Sequence, residues 1–482
     1  MVKKGNLFLL IKSLSKSEKR YFRIYAGMNG NDTNYLLLFD AIDKQGHYDE
    51  DEIRKKLKGK TFLSQLHVTK IYLTELILKA LKNYYSDSSV HSKLLNLLKD
   101  IELLFEKELY DLCHHRIEKA EGLARRYEKL SLQTEVFFWK RKLALAVSAN
   151  KDEINSVLTN EETVIEQMRI LNTWWNRTIN INKLIKDDSF LTPFRTPTIN
   201  KSNVLQSQVL HYHISYGINF IKGDIKRADQ NISELIRLLE RFPHRIQEDP
   251  HAYVTAIGNK IGLYLSKKNW KVVPSLIKKM REVPSKFKLK KESRFTVRLW
   301  LRLFNVELEM YRDSRQLDKG IVLMTEIQQF IDKRRKSIPA DYLLLLYYQF
   351  ANIFFLKKAY SQSLHWLNEI INVNFGDTRN DIQCYARILN LIVHFELRNI
   401  IVMRYALDSC RRFLKKKRFT ITCQKELFSL FSRISHAHQE EYPTLFKKAL
   451  SEIYPAGSDQ TQDYIDIKGW LEEKANRSSV IR

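Results

Sequence analysis

Glycine and proline are scarce in this chain. Of 482 residues, only 14 are glycine and 9 are proline. Barrels and sandwiches use such residues in their many turns, whereas long helices joined by short turns need few of them. Hydrophobic residues make up 44% of the chain and aromatic residues 11%, which is enough for a large core and argues against global disorder. The composition therefore predicts an all-α protein.

Cysteine is also rare, and no two cysteines form a C-x-x-C pair. The four are Cys113, Cys384, Cys410 and Cys423. Such wide spacing is typical of reduced thiols in a cytosolic protein rather than of a disulfide framework. We therefore expect a cytoplasmic protein.

Long hydrophobic runs are missing as well. The apolar run Leu7–Ile11 ends at Lys12, which is too short for the core of a signal peptide. The longest apolar stretch, Tyr342–Leu356, contains Gln349 and Asn352 and is shorter than the ~20 residues that a membrane span needs. We expect no membrane span, and we interpret this stretch as a buried helix.

Motifs of nucleotide-binding, hydrolytic and zinc enzymes are absent: the chain has no G-x-x-x-x-G-K-[ST], G-x-G-x-x-G, G-x-S-x-G or H-E-x-x-H. The close histidines, His211/His213 and His436/His438, are two residues apart, which on a helix directs them to different faces. The sequence predicts a non-enzymatic protein with no cofactor and no metal. A catalytic site assembled from distant residues stays open as a third alternative.

Positive charge is in clear excess. Lysine and arginine number 81 against 55 aspartate and glutamate, a formal net charge of +26. Such a surface attracts nucleic acid, acidic proteins or anionic lipid headgroups. A solvated lysine-rich surface without a partner explains the excess equally well.

Helix signals begin near the N-terminus, where Ser15-x-x-Glu18 forms a capping box. Helices are predicted over Lys16–Ala26, over Asp51–Lys58 and, after a break at Gly59, over Leu63–Tyr84. Residues 1–86 are therefore predicted to form an N-terminal helical module. The short helix, turn and long helix outline a helix-turn-helix, in which Gln65, His67 and Lys70 would face a DNA major groove. A plain packing helix is the alternative.

Beyond this module the chain is predicted to form helix pairs in residues 87–186 and again in residues 203–453. Between them, Asp187–Ser202 contains two prolines and no period, so we interpret it as a linker or surface loop. Residues 454–482 are predicted to add a C-terminal helical cap and tail. The residues that open the second helix of successive pairs are Ile225, Trp270, Leu317, Tyr360 and Ile400, in steps of 45, 47, 43 and 40.

The pair over Tyr347–Asn374 resembles a tetratricopeptide repeat, whose pattern is W-x2-L-G-x2-Y followed by A-x3-F. The matching residues are Tyr347 for Trp, Phe350-Ala351 for Leu-Gly, Phe354 for Tyr, and Ser363 and Leu367 for Ala and Phe. The resemblance implies an α-solenoid of stacked antiparallel helix pairs with a groove that holds a partner protein or peptide. The opening SLSKSEKRYFRIYAG also resembles a group of uncharacterised Bacteroidota proteins.

By register with that family, the partner-binding groove is expected on the first helix of each pair. The groove candidates are Asn305, Glu309, Arg312, Tyr348, Asn352 and Phe355. The Lys/Asn clamp by which some family members grip a C-terminal carboxylate is not evident at these positions. The resemblance therefore implies a groove without naming its ligand.

Basic residues cluster where second helices are predicted to end. The clusters are Lys278, Lys279 and Arg281; Lys333, Arg334, Arg335 and Lys336; and Lys415, Lys416, Lys417 and Arg418. In a solenoid, these clusters would share one edge and form a basic ridge. Attraction of cations to helix C-termini explains them without a ligand. The pair that ends near Asn374 lacks such a cluster.

The sequence predicts a protein–protein interaction scaffold or adaptor that binds a protein or peptide, of acidic character where the ridge takes part. The alternative is a nucleic-acid-binding regulator with the N-terminal module as the DNA or RNA contact.

Overall fold

The computed structural model describes residues 5–28, 33–186, 204–335, 338–420, 423–454 and 465–476. Over these ranges the protein is all-α and contains no strand, which confirms the predicted class. Within the same ranges, no helix is both long and apolar enough to cross a membrane. The predicted loop Asp187–Ser202 and the basic residue Lys336 lie outside the described residues.

The contacts of the chain divide it into two compact units, Met1–His211 and Tyr212–Arg482. The first unit begins with five helices and a short 3-10 helix, Thr61–Gln65. The five are α1 (Asn6–Ser13), α2 (Lys16–Met28), α3 (Thr33–Lys44), α4 (Glu50–Lys56) and α5 (Leu66–Tyr84). The predicted capping box is present, since the Glu18 amide donates to Ser15 Oγ (3.2 Å) and the Ser15 amide donates to Glu18 Oε2 (2.6 Å).

The rest of the first unit is a run of long helices. They are α6 (Val90–Glu106), α7 (Tyr110–Arg126), α8 (Leu130–Ala146), α9 (Lys151–Lys186) and α10 (Leu205–Ile221), and the boundary between the units falls within α10. Helices α6, α7 and α8 each contain 17 residues, and each packs against the next.

The second unit continues with helix pairs. They are α11 (Ile225–Glu240) with the short α12 (Pro243–Glu248), α13 (His251–Ser266), α14 (Val273–Lys286), α15 (Arg294–Asp313), α16 (Leu317–Arg334), α17 (Ala340–Leu356), α18 (Tyr360–Ile371), α19 (Asn380–Glu396), α20 (Ile400–Lys417), α21 (Gln424–Ile434), α22 (Tyr442–Ile453) and α23 (Ile467–Ala475). The apolar stretch Tyr342–Leu356 forms most of α17, and Leu346 and Phe350 in it are fully buried, as predicted for this stretch.

One turn geometry recurs at the end of the first helix in successive pairs. Arg315, Lys358 and Arg398 each follow a helix in the left-handed region, at φ 59°, 61° and 59°. The next residue donates its amide to the carbonyl five residues earlier, as Ala359 does to Phe354 (2.9 Å). This is a Schellman turn, which satisfies the last helical carbonyls and returns the chain antiparallel. The same turn geometry recurs in the first unit after α6, α7 and α8.

In the second unit, the first helices of successive pairs pack against one another. Helix α13 contacts α15, α15 contacts α17, and α17 contacts α19. Each of these helices also packs against its own second helix, as α17 does against α18. One continuous apolar cluster runs from Val297 in α15 to Ala475 in α23.

The C-terminal helix α23 and its N-cap residue form ion pairs with residues at the ends of three first helices, α15, α17 and α19. Its Asp466 pairs with Arg315 (3.1 Å), and its Glu473 pairs with Lys358 (2.7 Å). Glu396, at the end of α19, pairs with Lys474 (2.6 Å) and accepts a hydrogen bond from Trp470 Nε1 (2.6 Å). The Trp470 ring contacts three phenylalanine rings, those of Phe395, Phe431 and Phe446. This helix is therefore part of the core of the second unit.

Candidate binding surfaces

A polar row lies along one face of α15. It consists of Arg302, Asn305, Glu309 and Arg312, which are three or four residues apart and all partly exposed. This spacing places four side chains on one helical face. Three of the predicted groove residues belong to this row, and Arg302 is an additional member that the register argument did not select.

The three groove candidates on α17 are placed differently. Tyr348, Asn352 and Phe355 are only 1%, 4% and 8% exposed. The Asn352 amide group donates to the Tyr348 carbonyl within the same helix (2.9 Å). These side chains are not presented to a partner in this structure, so the accessible part of the expected groove is the row on α15.

A hydrogen-bonded chain joins α15 to α17. Arg312 Nη1 donates to Gln349 Oε1 (2.9 Å), and Gln349 Nε2 donates to Asn305 Oδ1 (3.2 Å). Arg312 Nε also donates to Asp313 (2.6 Å). Burial by itself would lower the pKa of Arg312. The hydrogen bond to Asp313 and the negative charge of Asp313 outweigh this effect, so the pKa of Arg312 is raised. Arg312 and Asn305 are therefore held in a fixed orientation by their hydrogen-bond partners.

Arg302 and Glu309 have no hydrogen-bonded counter-charge among the described residues, although the charge of Arg312 favours the ionised form of Glu309. The Arg302 guanidinium lies against Gly258 of α13, where an added Cβ would be 2.5 Å from Nη2. Burial lowers the pKa of Arg302, and among the described residues no carboxylate lies within 4 Å of its guanidinium. Burial likewise raises the pKa of Glu309. Both groups are partly withdrawn from water, so hydrogen bonds to a polar ligand would stabilise them.

The first basic cluster is largely engaged in ion pairs. Lys279 pairs with Glu240 at 2.6 Å. Arg281 pairs with the buried Glu307, to which its Nε donates at 2.7 Å, and with Glu326 at 3.2 Å. Only Lys278 projects freely into solvent.

In each of the other two clusters, one cation is likewise engaged in an ion pair. Arg334 pairs with Glu292 (2.6 Å), whereas Lys333 and Arg335 are exposed. Lys417 pairs with Asp377 (2.6 Å). The exposed members of the third cluster are Lys415, Lys416 and Arg418. The clusters therefore offer fewer free charges than the sequence indicates.

A cleft between α20 and α21 is lined by several cations. It has two adjoining parts with volumes of about 810 and 570 Å³. Its charged lining residues are Arg411, Lys415, Arg418, Lys425, Arg433 and Glu426. Arg411 and Lys415 are four residues apart on α20 and share a helical face, which the sequence alone could have indicated, whereas Arg418 follows the end of the helix in the left-handed region. Lys425 and Arg433 reach the cleft only because α21 folds back beside α20.

In the N-terminal module, the candidate DNA-reading residues are not equivalent. Gln65 and His67 are exposed. Lys70 is partly buried, with Nζ 2.7 Å from Glu50 and 3.0 Å from the Tyr48 hydroxyl. The hydrogen bond from Lys70 lowers the pKa of Glu50 to about 2. A lysine held in this way contributes little to reading a major groove.

Metal-ligating side chains and thiols give no sign of a reactive site in the described residues. The described residues contain no group of three histidine, cysteine, aspartate or glutamate side chains that could hold a metal ion. All four cysteines are buried. Burial raises the pKa of Cys384 to about 11 and that of Cys410 to about 12, so both thiols stay protonated near neutral pH.

Comparison with family models, with curated proteins and with solved structures finds no match to this chain. Its function must therefore be inferred from its own residues.

Proposed function

We propose that the second unit is a tetratricopeptide-like solenoid and that the protein is a cytoplasmic, non-enzymatic scaffold or adaptor. Three features support the proposal: the repeat steps of 40 to 47 residues, the Schellman turn that ends successive first helices, and the serial packing of α13, α15, α17 and α19. Such arrays bury apolar faces between neighbours and leave an extended surface for binding.

The proposed binding surface is the face of α13 and α15 that carries the polar row. Gly262 of α13 and Glu309 of α15 each stand six residues before the left-handed residue of their turn, Lys268 and Arg315. Equivalent register places them on the same side of adjacent helices. Gly262 is exposed, and an added Cβ there meets nothing within 4 Å. Gly262 therefore places no side chain in the way of a polypeptide segment that approaches this face.

The observation that carries the proposal is Arg302, a partly buried guanidinium without a carboxylate partner among the described residues. An aspartate or glutamate side chain of the partner would supply the missing charge-assisted hydrogen bonds, and Glu309 would accept from a donor on the same segment. The favoured partner is thus a polypeptide segment with an acidic residue at the level of Arg302.

Site-specific photocrosslinking in native cells tests this function. A photoreactive residue at Gly262 of the full-length chain is expected to give a discrete protein adduct, and Arg302→Met should reduce its yield at least tenfold. The matched control is Val322 of α16, which is 74% exposed and should give no such adduct. Equal adducts from both positions, or an adduct insensitive to Arg302→Met, would contradict the proposal.

A further inference from the structure

The cleft between α20 and α21 has an apolar floor and a polar rim. The floor consists of Leu414, Phe419 and Phe428. The uncharged polar residues of the rim are Thr420, Gln424, Ser429 and Ser432. Small-molecule sites generally combine such a floor with a few polar groups and have volumes of ~300–1,000 Å³. The larger part of this cleft, at about 810 Å³, falls in that range.

Charge in this cleft is unbalanced. Five cations line it against one carboxylate, that of Glu426. Arg411 lies 3.5 Å from Asp408. The other four cations, Lys415, Arg418, Lys425 and Arg433, have no carboxylate within 4 Å in the described part of the chain. This contrasts with Lys417 on the same helix, which is paired with Asp377.

Like charges that converge on a cleft repel one another, and an anion bound among them relieves that repulsion. Arg411 and Lys415 lie one turn apart on α20, about 6 Å along the helix axis at 1.5 Å per residue, and Arg418 follows directly after the end of the helix. A short phosphate chain concentrates three or four negative charges within such a distance. Guanidinium groups bind phosphate oxygens in a bidentate manner, and hydroxyl groups donate to them as well.

We propose that this cleft binds a phosphate-chain ligand of nucleotide size, either a nucleoside di- or triphosphate or a short inorganic polyphosphate. The phosphates contact Arg411 and Lys415 from α20, Arg418 from the turn after it, and Lys425 from α21. A base, where the ligand has one, packs against the partly exposed Phe419. The site is separate from the polar row on α15, so it does not depend on the scaffold function proposed above.

Isothermal titration calorimetry of the full-length protein at 150 mM salt tests the site, with ATP and inorganic triphosphate as probes. Both are expected to bind, and Lys415→Gln combined with Arg418→Gln should weaken binding at least tenfold. Tighter binding of ATP than of triphosphate identifies a nucleotide as the ligand. Equal affinities identify inorganic polyphosphate.

The matched control combines Lys278→Gln with Lys333→Gln, which removes two exposed lysines from the other basic clusters. This variant has the same net charge as the cleft variant and should bind both probes like the original protein. Equal weakening in the two variants would show diffuse attraction and overturn the site. No binding of either probe at millimolar concentration, or binding only of single-stranded DNA or poly-glutamate, would also overturn it. Circular dichroism checks that both variants are folded.

Discussion

Replacing Glu396 by glutamine is expected to lower the free energy of unfolding by about 3–5 kcal/mol, the usual cost of breaking a buried ion pair. The side chains of Glu396 and Lys474 are only 6% and 7% exposed. In Glu396→Gln, the amide oxygen still accepts the Trp470 hydrogen bond, but the Lys474 ammonium stays buried without a counter-charge. Urea unfolding followed by circular dichroism measures the loss.

Two controls isolate the charge effect. Combining Glu396→Gln with Lys474→Met removes both charges and should recover most of the loss, since apolar replacement of a whole buried pair is often neutral. Glu473→Gln breaks the exposed pair with Lys358 on the same helix, whose side chains are 39% and 57% exposed, and should cost no more than about 1 kcal/mol. If Glu396→Gln is as mild as Glu473→Gln, then α23 is not held by the buried pair.

The second large effect is expected at Arg281, where substitution by methionine should cost about 3 kcal/mol. Glu307 is 5% exposed, and Arg281 supplies its hydrogen-bonded counter-charge from α14. The same hydrogen bond raises the pKa of Arg281 above its usual range. Removing the guanidinium leaves a buried carboxylate without a partner, which is costly. Urea unfolding again measures the change.

Lys278→Met is the control, because this lysine belongs to the same basic cluster but is exposed and unpaired. Its substitution should change the free energy of unfolding by less than about 0.5 kcal/mol. Comparable losses in the two variants would show that Arg281 has no special structural role.

The helix content could be predicted from the sequence because it depends on local properties. Few glycines and prolines, the Ser15/Glu18 capping box and the apolar stretch Tyr342–Leu356 all indicate helix without any tertiary contact. The left-handed turn residues were harder to foresee. Gly223 is a residue that typically adopts this conformation, whereas Arg315 and Arg398 carry no such local signal, although they adopt it as well.

The properties of the candidate sites depend on long-range contacts and could not be predicted in the same way. Spacing alone assigned Arg281 and Lys278 to one ridge. Their difference arises because Glu307, on the next helix, reaches only Arg281. Similarly, register selects Asn305 and Tyr348 equally, but packing around α17 buries Tyr348 and leaves Asn305 partly exposed.

The C-terminal helix shows the same limit. The sequence predicts a C-terminal helical cap within residues 454–482, and the structure has α23 at Ile467–Ala475. Burial of Trp470 requires Phe395, Phe431 and Phe446, which lie on three other helices. No local pattern in the last residues of the chain contains that information.

The central claim is that the helix pairs of the second unit stack in serial order, and distances between spin labels test it most directly. Labels at cysteines replacing Asn269, Gln316 and Asn399 would report on equivalent turns, because these three residues are exposed and each follows a left-handed residue. The four native cysteines are buried and should not interfere.

Neighbouring first helices pack about 8–10 Å apart. Serial stacking therefore predicts the shortest distance between positions 269 and 316, an intermediate distance between 316 and 399, and the longest between 269 and 399. Pulsed electron paramagnetic resonance on the full-length protein measures these distances. If positions 269 and 399 are closer together than 316 and 399, the pairs do not stack in serial order, and the proposed solenoid is contradicted.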